Sequence, residues 1–600
     1  FKTATMPDGL GVYGDTMRHV IGGKLQGWNF LAGAQQGWGG IDLGMYECLT
    51  RTGPLFTIKA EELQPLPNLA KGWKWSDDGF TLTMNLVEGA KWSDGVPFTS
   101  ADIMFLWEDN IVDPNTTGTV GTTAETFGAG TTLVALDDYT IEWTFTQPFA
   151  TGYLYQMAGH MCPNPAHILK PQHPKYNKDA TYETYRNFPP PEFLNYPVMG
   201  AWVPTVVRQD DIVILRRNPY YWKVDEAGNQ LPYLDEVTYK LSTWADRDVQ
   251  ALAGTGDFSN LEQPENYVES LKRAADPNSP VRLAFGARTI GYHIRPNLSG
   301  NGWGEPDERG KAVHDLNRSL DFRRGVSKAI DRDQLGQALV RGPFTTPYAG
   351  GIFAETAFFD KNSTTYFPFD EAGAKADLAA AGLTDSDSNG FLNFPAGVAG
   401  GADIEITLLV NGDYQTDKTI AETIVAMMER VGLRVIPNIL MGPTMADQSL
   451  AGKFDWWLSR INEPQLTTVV QNTVYLAPTG PQIAFGHRAN TAGELDLMPF
   501  EQEMVDLVGK FAASRDAAER VELIKQYQKV STDNLYEIGL TQYPGALMVN
   551  KRFANVPAGA PIFLFNWAED NILRERMYVP ADKQRPELQL EPETLPGTPG

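Results

Sequence analysis

The feature that most limits how this chain can fold is an alternation of strand-like and helix-like segments in its second half. Residues 404–410 form a short apolar run typical of a buried strand, and residues 420–431 have the apolar spacing of an amphipathic helix. Residues 432–435 and 454–458 then repeat the strand pattern. Such alternation predicts an α/β lobe built on a parallel or mixed sheet.

Size and charge narrow the possibilities further. Six hundred residues exceed what one compact core accommodates, so two or three domains are expected. The formal net charge of −24 opposes binding to nucleic acid or to an anionic membrane, because both need a basic face. The sequence contains no run of about eighteen apolar residues, which is the length that a membrane-spanning helix needs. The chain opens without a signal peptide, so we expect that it lacks one or is a mature or trimmed form.

Metal and redox motifs are sparse. Cys48 and Cys162 are too few for a disulfide framework or a zinc site; they either pair in an oxidising compartment or remain buried thiols. The seven histidines have no metal-ligand spacing. Residues 385–390 copy the opening of a calcium loop, but Ala396 takes the place of the bidentate glutamate, which favours a solvated acidic turn. We expect no cofactor and no metal.

Residues 320–335 predict one amphipathic helix, because apolar side chains recur there at helical spacing. Asp321 suits the N-cap or the first turn, where the helix dipole favours an acid. Arg323, Lys328 and Arg332 fall on the face that we expect to be wetter.

This helix resembles the "D-x-R-x-A-x-x-x-A-I-D-R-x-x-L" segment of one family, with Gly325 in place of the first alanine. The family is that of the large extracytoplasmic solute-binding proteins of ABC importers, in the dipeptide, oligopeptide and nickel class (family 5, cluster C). Residues 80–103 resemble its second hallmark, "F-T-L-x-x-x-L-x-x-G-x-K-W-S-D-G-x-P-F-T-S-A-D-I", with Thr99 or Ser100 predicted to cap a helix.

The resemblance extends from about residue 46 to about residue 567. It implies an α/β fold, namely a two-lobed periplasmic-binding-protein fold (type II-like) with an extra inserted domain, in which the lobes close on a ligand about a hinge. The predicted divisions are residues 1–54 (lobe I, first part), 55–190 (inserted domain), 191–284 (lobe I, second part), 285–540 (lobe II) and 541–600 (return to lobe I and tail).

The segment around Arg460 bears on the ligand. Peptide-binding members resemble "W-x-x-D-Y-N-E/D-P" here, and their aspartate binds the ammonium group of the peptide. Aligning Asn462 and Glu463 with that motif places Arg460 at the aspartate, where a cation would repel an ammonium. Arg460 suits a carboxylate or sugar hydroxyls, or forms a salt bridge within its lobe. Trp457 lies where the family has a pocket-lining tryptophan.

The abundance of tryptophan suggests a carbohydrate site, since sugar faces stack on indoles and polar side chains bind the hydroxyls. Trp28 and Trp38 alternatively fill the seam between domains. The predicted ligand contacts are Trp28, Asn29, Trp38, Trp202, Trp303, Phe353, Trp457, Arg460, Asn462 and Glu463.

The resemblance implies a periplasmic, monomeric solute-binding protein that delivers a small oligosaccharide to an ABC permease. An α-galactoside such as melibiose or raffinose is the narrower expectation, because one branch of the family binds such ligands. A peptide or an opine-like amino-acid conjugate, whose carboxylate would meet Arg460, is the alternative within the family.

An enzyme is the alternative outside the family. Asn462-Glu463-Pro464 matches the acid/base tripeptide of retaining glycosidases, which need a second carboxylate about 5–5.5 Å away. The chain lacks the eightfold strand–helix rhythm of their barrel. We therefore predict no catalytic residue.

Overall fold

The computed structural model describes residues 6–29, 41–51, 65–116, 124–149, 152–356, 358–461, 476–481, 486–514, 516–559, 572–590 and 594–596. Its strands are β1 (Thr16–Ile21), β2 (Thr50–Arg51), β3 (Leu66–Pro67), β4 (Ala70–Trp75), β5 (Thr81–Leu86), β6 (Thr132–Asp137), β7 (Thr140–Thr144), β8 (Trp202–Arg208), β9 (Ile212–Arg217), β10 (Glu236–Leu241), β11 (Phe258–Leu261), β12 (Val281–Phe285), β13 (Ile290–Pro296), β14 (Thr346–Pro347), β15 (Glu405–Asn411), β16 (Arg434–Leu440), β17 (Trp456–Ile461), β18 (Ile538–Tyr543) and β19 (Ala546–Asn550). Its α-helices are α1 (Asp42–Met45), α2 (Ser100–Leu106), α3 (Gly152–His160), α4 (Ala166–Leu169), α5 (Tyr182–Arg186), α6 (Trp244–Ala253), α7 (Tyr267–Ala274), α8 (Glu308–Asn317), α9 (Leu320–Ala329), α10 (Arg332–Leu339), α11 (Glu371–Ala380), α12 (Gln415–Glu429), α13 (Gly442–Leu450), α14 (Pro499–Ala513) and α15 (Ala517–Asp533).

Two four-stranded sheets build the first part of the molecule, with strand orders β1-β10-β9-β8 and β4-β5-β7-β6. In β5 the alternate residues Leu82, Met84 and Leu86 are fully buried, as strand geometry requires when one face covers a core. Thr99 caps α2 and forms a capping box with Asp102, which confirms the predicted cap. Both sheets contribute to one hydrophobic cluster.

A six-stranded sheet of order β14-β18-β13-β17-β15-β16 forms the centre of the second lobe. Strand β15 runs parallel to β16 and β17, whereas β13 is antiparallel to β17 and β18. The α/β lobe predicted from the alternating pattern, with a parallel or mixed sheet, is therefore confirmed, and its sheet is mixed. Its apolar core includes residues of α9, α10, α11 and α12.

A three-stranded sheet of order β11-β19-β12 connects the two parts. Strand β12 leads into β13 of the second lobe, and β18 of that lobe leads back into β19. The two connections lie side by side, because the backbone N–H of Gly286 donates to the carbonyl of Gly545 at 2.9 Å. Two adjacent crossings are the geometry of a hinge. The predicted domain limits stay a prediction.

The segment predicted as one helix over residues 320–335 is two helices, α9 and α10, and that prediction was wrong. The chain leaves the helical conformation at Ile330, and Asp331 caps the second helix by accepting from the backbone N–H of Gln334. Ser319 caps the first helix, while Asp321 lies in its first turn as predicted.

The prediction that Arg323 and Arg332 lie on the wetter face of this segment is also wrong, because both side chains are almost completely buried. Arg323 Nε donates to the carbonyl of Asn534 at 2.9 Å, and Arg332 Nε donates to that of Gly539 at 2.8 Å. Both guanidinium groups satisfy backbone carbonyls that other elements leave open. Gly325 faces α11 so closely that a Cβ would lie 2.7 Å from Leu378 Cγ, which explains the departure from the family's alanine.

Cys48 and Cys162 form a disulfide, so the pairing left open by the sequence is settled in favour of the bond. The backbone N–H of Leu49 donates to the carbonyl of Met161 beside it, at 2.9 Å. The bond joins the segment before β2 to the segment after α3. Among the helices of the described residues, none has the length and apolar character that a membrane span needs.

Candidate ligand-binding site

The candidate site is built on β17, the central strand that carries Trp457 near its amino end and Arg460 near its carboxyl end. Trp456 and Leu458 are buried against the helices on one face of the sheet, whereas Trp457 faces the other side and retains exposed surface. Arg460, three positions after Trp457, lies on the face opposite to Trp457. A ligand that touches both must therefore span roughly 10 Å along the strand and reach both faces of the sheet.

Trp457 is held between two neighbours. Arg295 of β13 lies directly opposite in the antiparallel register, and its guanidinium carbon is 5.5 Å from the centre of the indole ring. Phe454 meets the indole edge-on, with 6.1 Å between ring centres. A cation within about 6 Å of an indole ring centre is attracted to it, so Arg295 restrains the orientation of Trp457.

Arg295 is in turn fixed by two buried side chains. Its Nε donates to His293 Nε2 at 2.6 Å, and His293 Nδ1 lies 2.9 Å from Glu537 Oε2. Burial lowers the pKa of His293, and the nearby Arg295 adds to this effect while Glu537 opposes it. Although burial tends to raise it, the pKa of Glu537 is lowered by His293 and Arg295. We therefore assign a neutral imidazole between a cation and an anion.

Arg460 lies in a different charged environment. Its guanidinium carbon is 4.3 Å from the centre of the Tyr414 ring, and its Nη1 is 3.7 Å from Glu262 Oε2. Burial opposes the charge, but Tyr414 and Glu262 outweigh burial and raise the pKa of Arg460. Arg247 also donates to Glu262, at 3.2 Å. An anionic ligand at Arg460 would have to compete with Glu262, whereas the hydroxyl of a neutral ligand would not.

Asp417, in the first turn of α12, completes this environment. Tyr292, which lies opposite Arg460 in the register of β13 and β17, donates its hydroxyl to Asp417 Oδ1 at 2.6 Å. Burial raises the pKa of Asp417 to about 6, although the charge of Arg460 opposes the rise.

Five of the predicted contacts are enclosed by protein and have at most 6% of their surface exposed. They are Trp28, Asn29, Trp202, Trp303 and Phe353. The indole N–H of Trp28 donates to Pro191 O at 3.2 Å, and that of Trp202 donates to Leu234 O at 3.1 Å. In this conformation these residues offer almost no surface to a ligand, and their place in the binding site stays a prediction.

The predicted contact residues do not all lie in one place. Trp303 joins the cluster of Leu409 and Phe454 against which Trp457 packs, so the structure brings Trp303 and Trp457 together. Trp28 and Trp202 belong to the separate core of the first lobe. The predicted contacts Trp38, Asn462 and Glu463 lie outside the described residues.

The acidic turn around Asp385 is closed by its own hydrogen bonds. Asp385 Oδ1 accepts from the backbone N–H of Asn389 at 3.1 Å, and its Oδ2 accepts from that of Gly390 at 3.0 Å. Within the part of the chain that the structure describes, no group of three metal-ligating side chains is arranged to hold an ion.

A cavity of about 320 Å³ opens at the other end of β17, next to the first turn of α8. Its wall includes Arg309, Thr407 and Asp455. Asp455 Oδ2 is already engaged by Arg309 Nη1 at 2.6 Å and by the backbone N–H of Thr407 at 2.8 Å. This cavity lies at the amino end of the strand, where Phe454, the neighbour of Trp457, lines it, whereas Arg460 lies near the carboxyl end.

Sequence reasoning missed His293, Arg295 and Glu537. A signal existed in β13, because His293 and Arg295 interrupt a strand whose other residues are apolar or aromatic. Polar side chains two positions apart in a buried strand share one face and need partners there. Glu537 carried no comparable signal, since its partners come from a strand far away in the sequence.

Comparison with known proteins agrees with this architecture. Residues 64–475, more than half of the chain, match the family described as "Bacterial extracellular solute-binding proteins, family 5 Middle". The periplasmic alpha-galactoside-binding protein of Rhizobium meliloti (strain 1021) is 62% identical over 601 residues, which cover 100% of this chain and 86% of that protein.

Solved structures extend the comparison. The periplasmic binding protein MelB of Agrobacterium fabrum C58, in complex with stachyose, matches with a TM-score of 0.93 and 60% identity over 99% of this chain and 88% of MelB. AppA of Bacillus subtilis, in complex with a nonapeptide, matches with a TM-score of 0.72 over 95% of this chain and 100% of AppA. At 17% identity, AppA shows a shared fold alone.

The fold and these similarities define a two-lobed, periplasmic solute-binding protein that serves the permease of an ABC importer. The chain belongs to family 5 of the bacterial extracellular solute-binding proteins, which confirms the resemblance seen in the sequence.

Proposed function

We propose that this protein binds an α-galactoside oligosaccharide, such as stachyose, raffinose or melibiose, between its lobes and delivers it to the permease. The observation that carries the proposal is the 60% identity, along 99% of this chain, to a binding protein whose structure holds stachyose. The name of the Rhizobium meliloti relative supports the same ligand class at 62% identity.

Two side chains of β17 fit a neutral sugar. Trp457 offers a partly exposed indole for stacking on a pyranose face. Arg460 is partly exposed, and Glu262 already compensates its charge. We place Trp457 and Arg460 at the sugar, together with the predicted contacts Asn462 and Glu463.

We propose that binding involves no chemical step. The ligand would shift the protein toward a closed arrangement by binding that arrangement more tightly. The two adjacent connections at Gly286 and Gly545 would act as the hinge. The closed shape would then be presented to the permease.

A thermal-shift panel tests the ligand class, because a ligand that binds the folded state raises the unfolding midpoint. Stachyose, raffinose and melibiose should raise it, whereas lactose, a matched β-galactoside, and a series of di- to pentapeptides should leave it unchanged. A shift with peptides alone would contradict the proposal. Sugar recovered after long incubation should be intact; release of free galactose that Glu463→Gln abolishes would instead establish a glycosidase.

A further inference from the structure

We infer that Arg295 is a positioning residue for the ligand-binding indole of Trp457, and that the buried pair of His293 and Glu537 holds Arg295 in place. The inference rests on the proposed function, because it takes Trp457 to be in contact with the sugar. It adds three residues, none of which touches the ligand in this account, to the determinants of affinity.

Arg295 and Trp457 are in direct contact. The two residues face each other across β13 and β17, so their side chains share one face of the sheet. The guanidinium carbon lies 5.5 Å from the indole centre, and Phe454 approaches the indole edge-on. With these two neighbours in place, the indole keeps one orientation, and a stacking partner gains affinity from an indole that is already oriented.

Arg295 is itself restrained by His293 and Glu537. Arginine Nε only donates, so His293 Nε2 must accept the 2.6 Å hydrogen bond. His293 Nδ1 then carries the proton and donates it to Glu537 Oε2 at 2.9 Å. The guanidinium Nη2 of Arg295 also lies 3.5 Å from Glu537 Oε1. The arginine is therefore held at two points, through histidine and directly by the carboxylate.

Burying these three polar side chains costs free energy. Arg295, His293 and Glu537 have 5%, 0% and 8% of their surface exposed. A buried ion pair is weak evidence for stability, because apolar side chains of similar volume often stabilise a core equally well. Keeping a buried histidine neutral between two charges costs free energy that an apolar side chain of similar volume would not cost. Fixing the cation over Trp457 gives the arrangement a function.

The arrangement also makes binding sensitive to acid. A second proton on His293 would have to sit on Nε2, where it would point at the donor Nε of Arg295 and break their hydrogen bond. Glu537 and Arg295 are the charged groups that face His293, and the phenols of Tyr527 and Tyr536 lie near the same carboxylate. Burial raises the pKa of both phenols, so they stay neutral under acid conditions.

Calorimetric titration with raffinose tests the inference in four proteins. At pH 7.5, Arg295→Met should weaken binding by about tenfold or more, and Arg295→Lys should recover little, because lysine lacks the Nε that donates to His293. His293→Gln keeps an acceptor near the position of Nε2 but does not titrate. Because burial lowers the pKa of His293, wild-type affinity should fall at a pH below the ordinary histidine value of about 6.5, and the affinity of His293→Gln should fall less.

The pH profile separates positioning from packing, because a merely structural histidine would not link raffinose affinity to acid. Equal affinities of the wild type, Arg295→Met and Arg295→Lys would overturn the inference. The same acid-dependent loss in His293→Gln as in the wild type would also overturn it, and this comparison decides the matter if Arg295→Met does not fold. If the wild type binds raffinose but the variants behave as just described, the inference about Arg295 is wrong and the proposed function is unaffected. If the wild type binds no α-galactoside, the proposed function itself is wrong.

Discussion

Arg460 and Glu262 form an ion pair across 3.7 Å, although the arginine lies in the central strand of the second lobe and the glutamate follows β11 of the connecting sheet. The pair therefore joins the proposed ligand site to the hinge. It also explains why an arginine stands where peptide-binding relatives are expected to carry an aspartate, since its charge has a partner within the protein.

Replacing Arg460 with alanine should weaken raffinose binding by about tenfold, because the sugar would lose a planar hydrogen-bond donor. The measurement is calorimetric titration at neutral pH. Lys71→Ala, which removes an exposed ion pair with Glu88, serves as the control and should bind as the wild type does. Unchanged affinity in Arg460→Ala would reduce the residue to a structural partner of Glu262.

Two tryptophan variants should separate the binding site from the core. Trp457→Ala should lose about tenfold or more in raffinose affinity, because a partly exposed indole is the proposed stacking surface. Trp202→Phe should bind normally but lose about 1 kcal/mol of stability, since its indole N–H donates to the buried carbonyl of Leu234. Titration and thermal unfolding of both variants check this. The reverse pattern would place the sugar against Trp202.

Asp417 should make stability depend on pH. Burial raises its folded-state pKa to about 6 from an ordinary value of 3.8, despite the opposing charge of Arg460. The folded state therefore binds the proton more tightly, and the stability from this group is full below about pH 4 and lost as the pH rises through about 6. Asp417→Asn keeps the contact with Tyr292 without titrating.

At pH 7.5 the free energy of unfolding of this variant should exceed that of the wild type by an amount on the order of 1–3 kcal/mol, so it should unfold at a higher temperature. Near pH 4 the two proteins should unfold at nearly the same temperature. Thermal unfolding of both proteins across this pH range is the measurement. A constant difference at every pH would show that the carboxylate is not the group that titrates.

The disulfide between Cys48 and Cys162 should stabilise the first lobe. It closes a long loop, with a sequence separation of 114, and its loss should cost about 2–4 kcal/mol of unfolding free energy. Double substitution of both cysteines by serine should lower the unfolding midpoint without changing raffinose affinity. Reduced wild-type protein should match the variant, and a midpoint insensitive to reductant would contradict the prediction.

Local chemistry made much of the fold predictable. The alternating apolar runs around β15, α12 and β16 correctly predicted an α/β lobe with a parallel or mixed sheet, and Thr99 is one of the two caps predicted for α2. These features depend on neighbours within a few residues, so their signal is contained in short segments.

What could not be predicted depends on distant partners. Helical spacing predicted that Arg332 lies on the wetter face of an amphipathic segment. The side chain instead donates to the backbone carbonyl of Gly539, which lies far away in the chain. Trp28 and Trp202 read as platforms for a ligand, yet the first lobe encloses both. Glycine-rich surroundings and aromatic side chains occur in binding sites and in cores alike, and only tertiary packing separates the two.

We propose above all that the protein recognises an α-linked galactoside at Trp457 and Arg460 of β17. Calorimetric titration with melibiose and, in parallel, with lactose tests it most directly, because both are disaccharides of galactose and glucose and the linkage differs. The account predicts saturable binding of one melibiose per protein and no binding of lactose. Equal binding of both sugars, or binding of neither alongside saturable binding of a peptide, would contradict it.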